Sequence, residues 1–156
     1  MAKENFPRTK IANLSVSRMI IGTNNVLGGS HRTKARDMHI KGLFKDSESA
    51  ACLIESYLDH GVDTIIGCIT EAPFLVDGIK LAQDRRGQKI YYIQLGIFDV
   101  SDTAAARQEA EAYMKFCRSN GCDIFMPLHT CVEELLNKHT RKIDRIGDYT
   151  DMIRNQ

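Results

Sequence analysis

Two histidines head the residues of this chain that could do chemistry. His129 closes an apolar run, Asp123-Ile-Phe-Met-Pro-Leu-His129. An imidazole held at such a strand end can serve as general acid or base, metal ligand or oxyanion donor. The structural alternative is a histidine hydrogen-bonded to a neighbouring loop. His31 lies in a long glycine-bearing connection, with Arg32, Lys34 and Arg36 close behind it. A loop of that composition could fold over an anionic group, since an arginine fork matches a carboxylate or phosphate; a solvated basic loop is the plainer reading. His39 is a second choice in the same stretch. Asn24, Asn25, Ser30, Glu71, Gln94, Asp99 and Thr130 are the polar residues that could bind a substrate beside these imidazoles. A metal centre needs about three ligands from His, Cys, Asp and Glu. His31, Glu71 and His129 could supply them, although no HxH, HExxH or CxxC spacing is present. Metal and cofactor are therefore left open. Cys68 and Cys131 could act as nucleophiles only where their thiols are activated, and buried packing is the simpler reading.

These residues need elements to place them, and the chain reads as a strand and a helix, repeated. Residues 17–23 predict a first strand, followed by a long connection over 24–45 with a short helical turn at 36–39. Asp46 or Ser47 caps a helix bearing Ala50, Leu53, Ile54, Tyr57 and Leu58 at helical spacing, and Gly61 stops it. Residues 62–67 predict the second strand. Pro73 opens the next helix, which ends near Gly87. Residues 89–98 predict the third strand. A helix capped by Ser101 or Asp102 then runs to Asn120-Gly121. Residues 123–129 predict the fourth strand, and Thr130 with Glu133 a capping box. A last helix carries Ile143, Ile146, Tyr149, Met152 and Ile153.

Alternating strands and helices imply an α/β fold with a parallel sheet, and the nearly unbroken apolar strands suit burial on both faces. No Gly-x-Gly-x-x-Gly turn follows the first strand and no GxxxxGK[ST] loop occurs, which lowers an open nucleotide-binding sheet. The other architecture is a closed (β/α)8, or TIM, barrel. Its active site lies at the C-terminal ends of the strands, where the residues above fall. Such a barrel takes about 250 residues. The 156 residues here hold four units and form a single domain, 1–156. The expectation is a half-barrel, completed by dimerisation or by a missing C-terminal half, because unpaired edge strands invite another chain.

Composition narrows the function classes. A net charge of +1 offers no general attraction for nucleic acid or an anionic membrane. The apolar runs are strand-sized, and residues 1–5 lack the apolar stretch of a signal peptide. Five cysteines without a CxxC pair read as reduced, buried thiols in a cytoplasmic protein, with Cys52 and Cys117 on apolar helix positions.

Residues 13–23, Asn-Leu-Ser-Val-Ser-Arg-Met-Ile-Ile-Gly-Thr, resemble the opening of the aldo/keto reductases, where a short hairpin feeds the first barrel strand. Residues 61–66 resemble that family's second strand, and residues 123–129 its fourth, which ends in an active-site histidine. The resemblance implies a TIM barrel with His129 at its mouth. It does not extend to the family's other catalytic residues. Ile66 stands where the family has an aspartate, no tyrosine follows within residues 67–73, and Gln94-Leu95-Gly96 replaces the stretch bearing its lysine. Residues 22–31, 141–144 and 149–154 are similar to uncharacterised barrel proteins related to those reductases. The expectation is a barrel enzyme half acting on a small polar or anionic metabolite, with classical reduction disfavoured. The rivals are a non-catalytic assembly module and a metal-dependent isomerase or hydrolase.

Overall fold

The structure, a computed structural model, describes residues 6–99, 101, 103–133, 136–143 and 147. It opens with an antiparallel hairpin, β1 (Arg8–Ile11) and β2 (Leu14–Ser17). Four parallel strands follow in sequence order: β3 (Ile21–Gly22), β4 (Thr64–Gly67), β5 (Tyr91–Gly96) and β6 (Ile124–Pro127). Between β3 and β4 lie α1 (Asn24–Leu27), α2 (Lys34–Leu43) and α3 (Ser47–Leu58). The later crossovers are α4 (Pro73–Arg86) and α5 (Ala104–Ser119). After β6 come α6 (His129–Glu133) and a small antiparallel pair, β7 (Leu136–Asn137) with β8 (Lys142–Ile143).

Several boundaries differ from the sequence reading. The predicted first strand at 17–23 straddles the end of the hairpin and the two-residue β3. The connection over 24–45 holds α2, a helix of 10 residues, instead of one turn. Only Ile40 of α2 is buried, so it carries no apolar stripe to betray it. Its start is local: Thr33 Oγ1 accepts the Arg36 amide at 3.2 Å. Thr103, one residue past the predicted caps, caps α5 by accepting the Ala106 amide. Thr130 is inside α6 and therefore not its cap, and Ile143 lies in β8 and not in a helix. Gly147 is helical as predicted, and the rest of the predicted last helix falls outside the described residues. Cys52 is exposed where burial was expected, while Cys117 and Cys131 are buried; all five thiols are free.

Strand register assigns side chains to the two faces of the sheet, because successive residues alternate. Ile21, Ile65 and Tyr92 are in register and belong to the core formed with α3 and α4, among Ala50, Ile54, Leu75 and Ile79. Phe125 packs with Ala110 and Met114 of α5 on that same face. The opposite row is Gly22, Ile66, Ile93 and Ile124, followed by Leu95 beside Met126. Of the described helices, α3, α4 and α5 all pack on the first face. The sheet is open, with β3 and β6 as its edges.

The hairpin is fastened at the N-terminal end of the sheet. The buried Asp63 carboxylate accepts the Ser17 amide at 3.0 Å and the Thr64 hydroxyl at 3.1 Å, and it pairs with Arg8 at 2.8 Å. The other end of the sheet is left for the loops that follow the strands.

Candidate ligand site at the strand ends

Construction of this end starts at Thr23. Its amide donates to Ile66 O at 3.1 Å, and its carbonyl accepts the Val26 and Leu27 amides as α1 begins. A Cβ on Gly67 would fall on the Thr23 side chain, so the glycine is what lets β4 approach this turn. Gly28 caps α1 in the left-handed region at φ 73°. His31 takes the same region at φ 54°, a conformation that costs a β-carbon residue on the order of 1 kcal/mol. What holds it there is visible. Asn24 Nδ2 lies 3.0 Å from His31 Nε2, a hydrogen bond that ties the ring back to the start of α1. Next to it, the Ser30 amide donates to Asp37 Oδ1 at 2.9 Å and the Ser30 hydroxyl bonds the same oxygen. The Ser30 hydroxyl and amide hold the Asp37 carboxyl below the usual carboxylate range.

A cavity of about 680 Å³ opens at the ends of the four strands. Asn24, Asn25 and His31 line it from the β3 side, Cys68 from β4 and His129 from β6, while Ile66 and Leu95 belong to its apolar part. Volume and make-up fit a small-molecule pocket, which is mostly apolar with a few placed polar groups. His129 begins α6 with its side chain 72% exposed, and its Nε2 is 3.9 Å from Glu133 Oε1. Burial pushes the Cys68 thiol up, with the Glu71 carboxylate adding to the effect, so it stays protonated and a poor nucleophile near neutral pH.

The structure thus brings together Asn24, Asn25, His31 and His129. It leaves Arg32 exposed and outside the lining, its amide donating to Ser30 Oγ at 3.3 Å. Thr130 also lies off the cavity, with its Oγ1 buried and lacking a hydrogen-bond partner. Glu71 and Gln94 form a separate cluster. Gln94 shares the helix-facing side with Tyr92, and strand position alone could not reveal that. Its Oε1 accepts the Ile69 and Thr70 amides at 3.0 and 3.1 Å and the Tyr92 hydroxyl at 2.5 Å. Its Nε2 donates to Glu71 Oε2 at 3.1 Å, Leu95 O at 2.9 Å and Tyr113 Oη at 3.0 Å. Tyr113 donates to Glu71 Oε1 at 2.7 Å. Every polar atom of the Gln94 amide is used in fastening the β4–α4 turn to β5 and α5. Among the described residues, no three His, Cys, Asp or Glu side chains gather as a metal-binding group, and Glu71 is hydrogen-bonded to Gln94 and Tyr113.

Tyr113 and the link between Asn24 and His31 were missed in the sequence. A tyrosine at a helical position looks like core, and the spacing of Asn24 and His31 means nothing until α1 and the left-handed turn bring them together. No known protein family, no curated protein and no solved structure matches this chain. No described helix is long and apolar enough to cross a membrane.

Proposed function

We propose that the cavity at the strand ends binds a small polar or anionic metabolite and that His31 and His129 handle protons on it. The four parallel units are read as half of a (β/α)8 barrel, with this cavity as its mouth. One observation carries the reading: two imidazoles from loops almost a hundred residues apart line one cavity, and one of them is held in a strained backbone conformation by its own hydrogen bond. A neutral imidazole can take a proton and a protonated one can give it, which is the equipment of acid–base catalysis. Asn24 and Asn25 offer amide donors and acceptors to a carboxylate, carbonyl or hydroxyl, and Arg32 sits one residue beyond His31 to meet negative charge arriving from solvent. Reduction with a nicotinamide cofactor is not part of this reading, given Ile66 and Gln94 at the positions discussed above. The five free thiols fit a reducing, cytoplasmic setting.

The test is a titration of the protein with small mono- and dicarboxylates, hydroxy acids and phosphate esters, following the imidazole Cε1 proton signals by NMR. One of these classes is expected to move the His31 and His129 signals together. Replacing either histidine by alanine should weaken that ligand about tenfold or more, the worth of one good polar contact. A set of ligands that moves neither signal, or affinity unchanged in both variants, would remove the site.

A further inference from the structure

We infer that a second copy of the chain covers the face of the sheet that carries none of the described helices, pairing β3 of each copy with β6 of the other and completing the mouth. In naming what completes that cavity, the inference rests on the reading of the mouth as a ligand site; the pairing itself rests on the sheet. All four strands run parallel and stand in sequence order, so among the described residues the two free edges belong to the first strand and the last. A two-fold axis that sets β3 beside the partner's β6, in parallel, necessarily sets β6 beside the partner's β3. Both contacts are the same, and no edge is left over. An unrelated partner would have to bring two parallel edges of matching separation. A second copy brings them by symmetry.

The surfaces concerned are apolar. The helix-free row Gly22, Ile66, Ile93 and Ile124, with Leu95 and Met126, contains no charge. Ile20 and Met126, at its two edges, are 37% and 43% exposed. Beside β3 a second cavity, of about 750 Å³, is lined by apolar side chains such as Phe6, Met19, Leu53 and Val62, with Asp59 and His60 also on its wall. Leu53 and Tyr57 also line the mouth cavity, so the two hollows run together along α3. This trough is where a neighbouring unit of a closed barrel would lie.

Closure would put the partner's Leu128 and His129 next to Asn24 and Asn25. The finished mouth would then hold two copies of each histidine.

The experiment is sedimentation of the full chain, without ligand, over about a hundredfold range of concentration. A dimer is expected. Ile20→Lys and Met126→Glu should each give a monomer with unchanged far-ultraviolet circular dichroism, whereas Met38→Lys, on α2 and outside the trough, should remain dimeric. Mixing the first two variants should restore a dimer, because one interface then sets the introduced ammonium against the introduced carboxylate and the other is native. A wild-type monomer, an open-ended series of larger species, or a mixture that stays monomeric would overturn the pairing. If a variant does not fold, hydrogen exchange on the wild-type protein decides: edge amides of β3 and β6 exchange slowly when paired and at loop rates when free. Dimerisation without ligand binding would remove the mouth reading alone, and ligand binding by a monomer would remove the pairing alone.

Discussion

Gln94 illustrates what a single buried side chain does in this protein. Its amide serves two backbone N–H groups, a phenol on each side and a carboxylate, while being wholly removed from water. The phenols respond to the same surroundings. Burial pushes the Tyr92 hydroxyl well above the ordinary phenol range, and burial followed by the Glu71 carboxylate does so for Tyr113. Both therefore stay protonated in the folded chain where an unfolded chain would ionise, near about pH 10. The sign follows from proton counts. Above the unfolded phenol range the folded state holds more protons, so this stabilisation is present below it and is lost as pH rises. In an ultraviolet titration, Tyr92 and Tyr113 should ionise only as the protein unfolds, and urea midpoints should fall from about pH 9 to about pH 11. Reversible ionisation of both phenols near pH 10 in folded protein would contradict this. None of it is legible in the sequence, because strand position shows how far along the sheet Gln94 lies and not which face it takes.

At the scale of elements, the hairpin and the strand it precedes depend on Asp63. Its carboxylate bridges Arg8, the Ser17 amide and the Thr64 hydroxyl, joining β1 and β2 to β4. Asp63→Ala should cost about 2 kcal/mol, the range for hydrogen bonds to a charged group, read as a lower urea midpoint. Gly67→Ala tests the strand ends in the opposite sense, by adding atoms. A methyl there meets the Thr23 side chain and should cost about 1–3 kcal/mol of overpacking while disturbing the His31 loop. The helices α3 and α4 were predictable because their caps and stops are local: Asp46 accepts the Ser49 amide, Pro73 opens α4, and Gly87 closes it in the left-handed region. By contrast α2 was hidden, since a helix that buries one residue leaves almost no periodic trace.

For the molecule as a whole, β3 and β6 are the edges of an open sheet among the described residues, and the row between them is apolar. If two copies close it, stability must follow mass action, and the thermal midpoint should rise with protein concentration. A midpoint independent of concentration would speak for a self-sufficient monomer. The His31 loop should respond differently, because its Ser30–Asp37 bonds lie within one chain. Asp37 is held below the ordinary carboxylate range, so its contribution is present above that range and is lost as pH falls through its lowered value.

The four parallel strands and the helices α3, α4 and α5 between them were determined by the sequence itself. Apolar runs, caps and stop glycines act within a few residues, so they are written locally. Which of those residues meet was decided only by tertiary structure. His31 and His129 come to one cavity because β3 and β6 end on the same side of the sheet, and Asn24 reaches His31 only across a left-handed turn. Gln94 leaves that group because β-strand alternation sends it to the helices, and Glu71, in the β4–α4 turn, follows it through their hydrogen bond. Face and register are long-range properties, set when separate strands pair, and no short segment contains them.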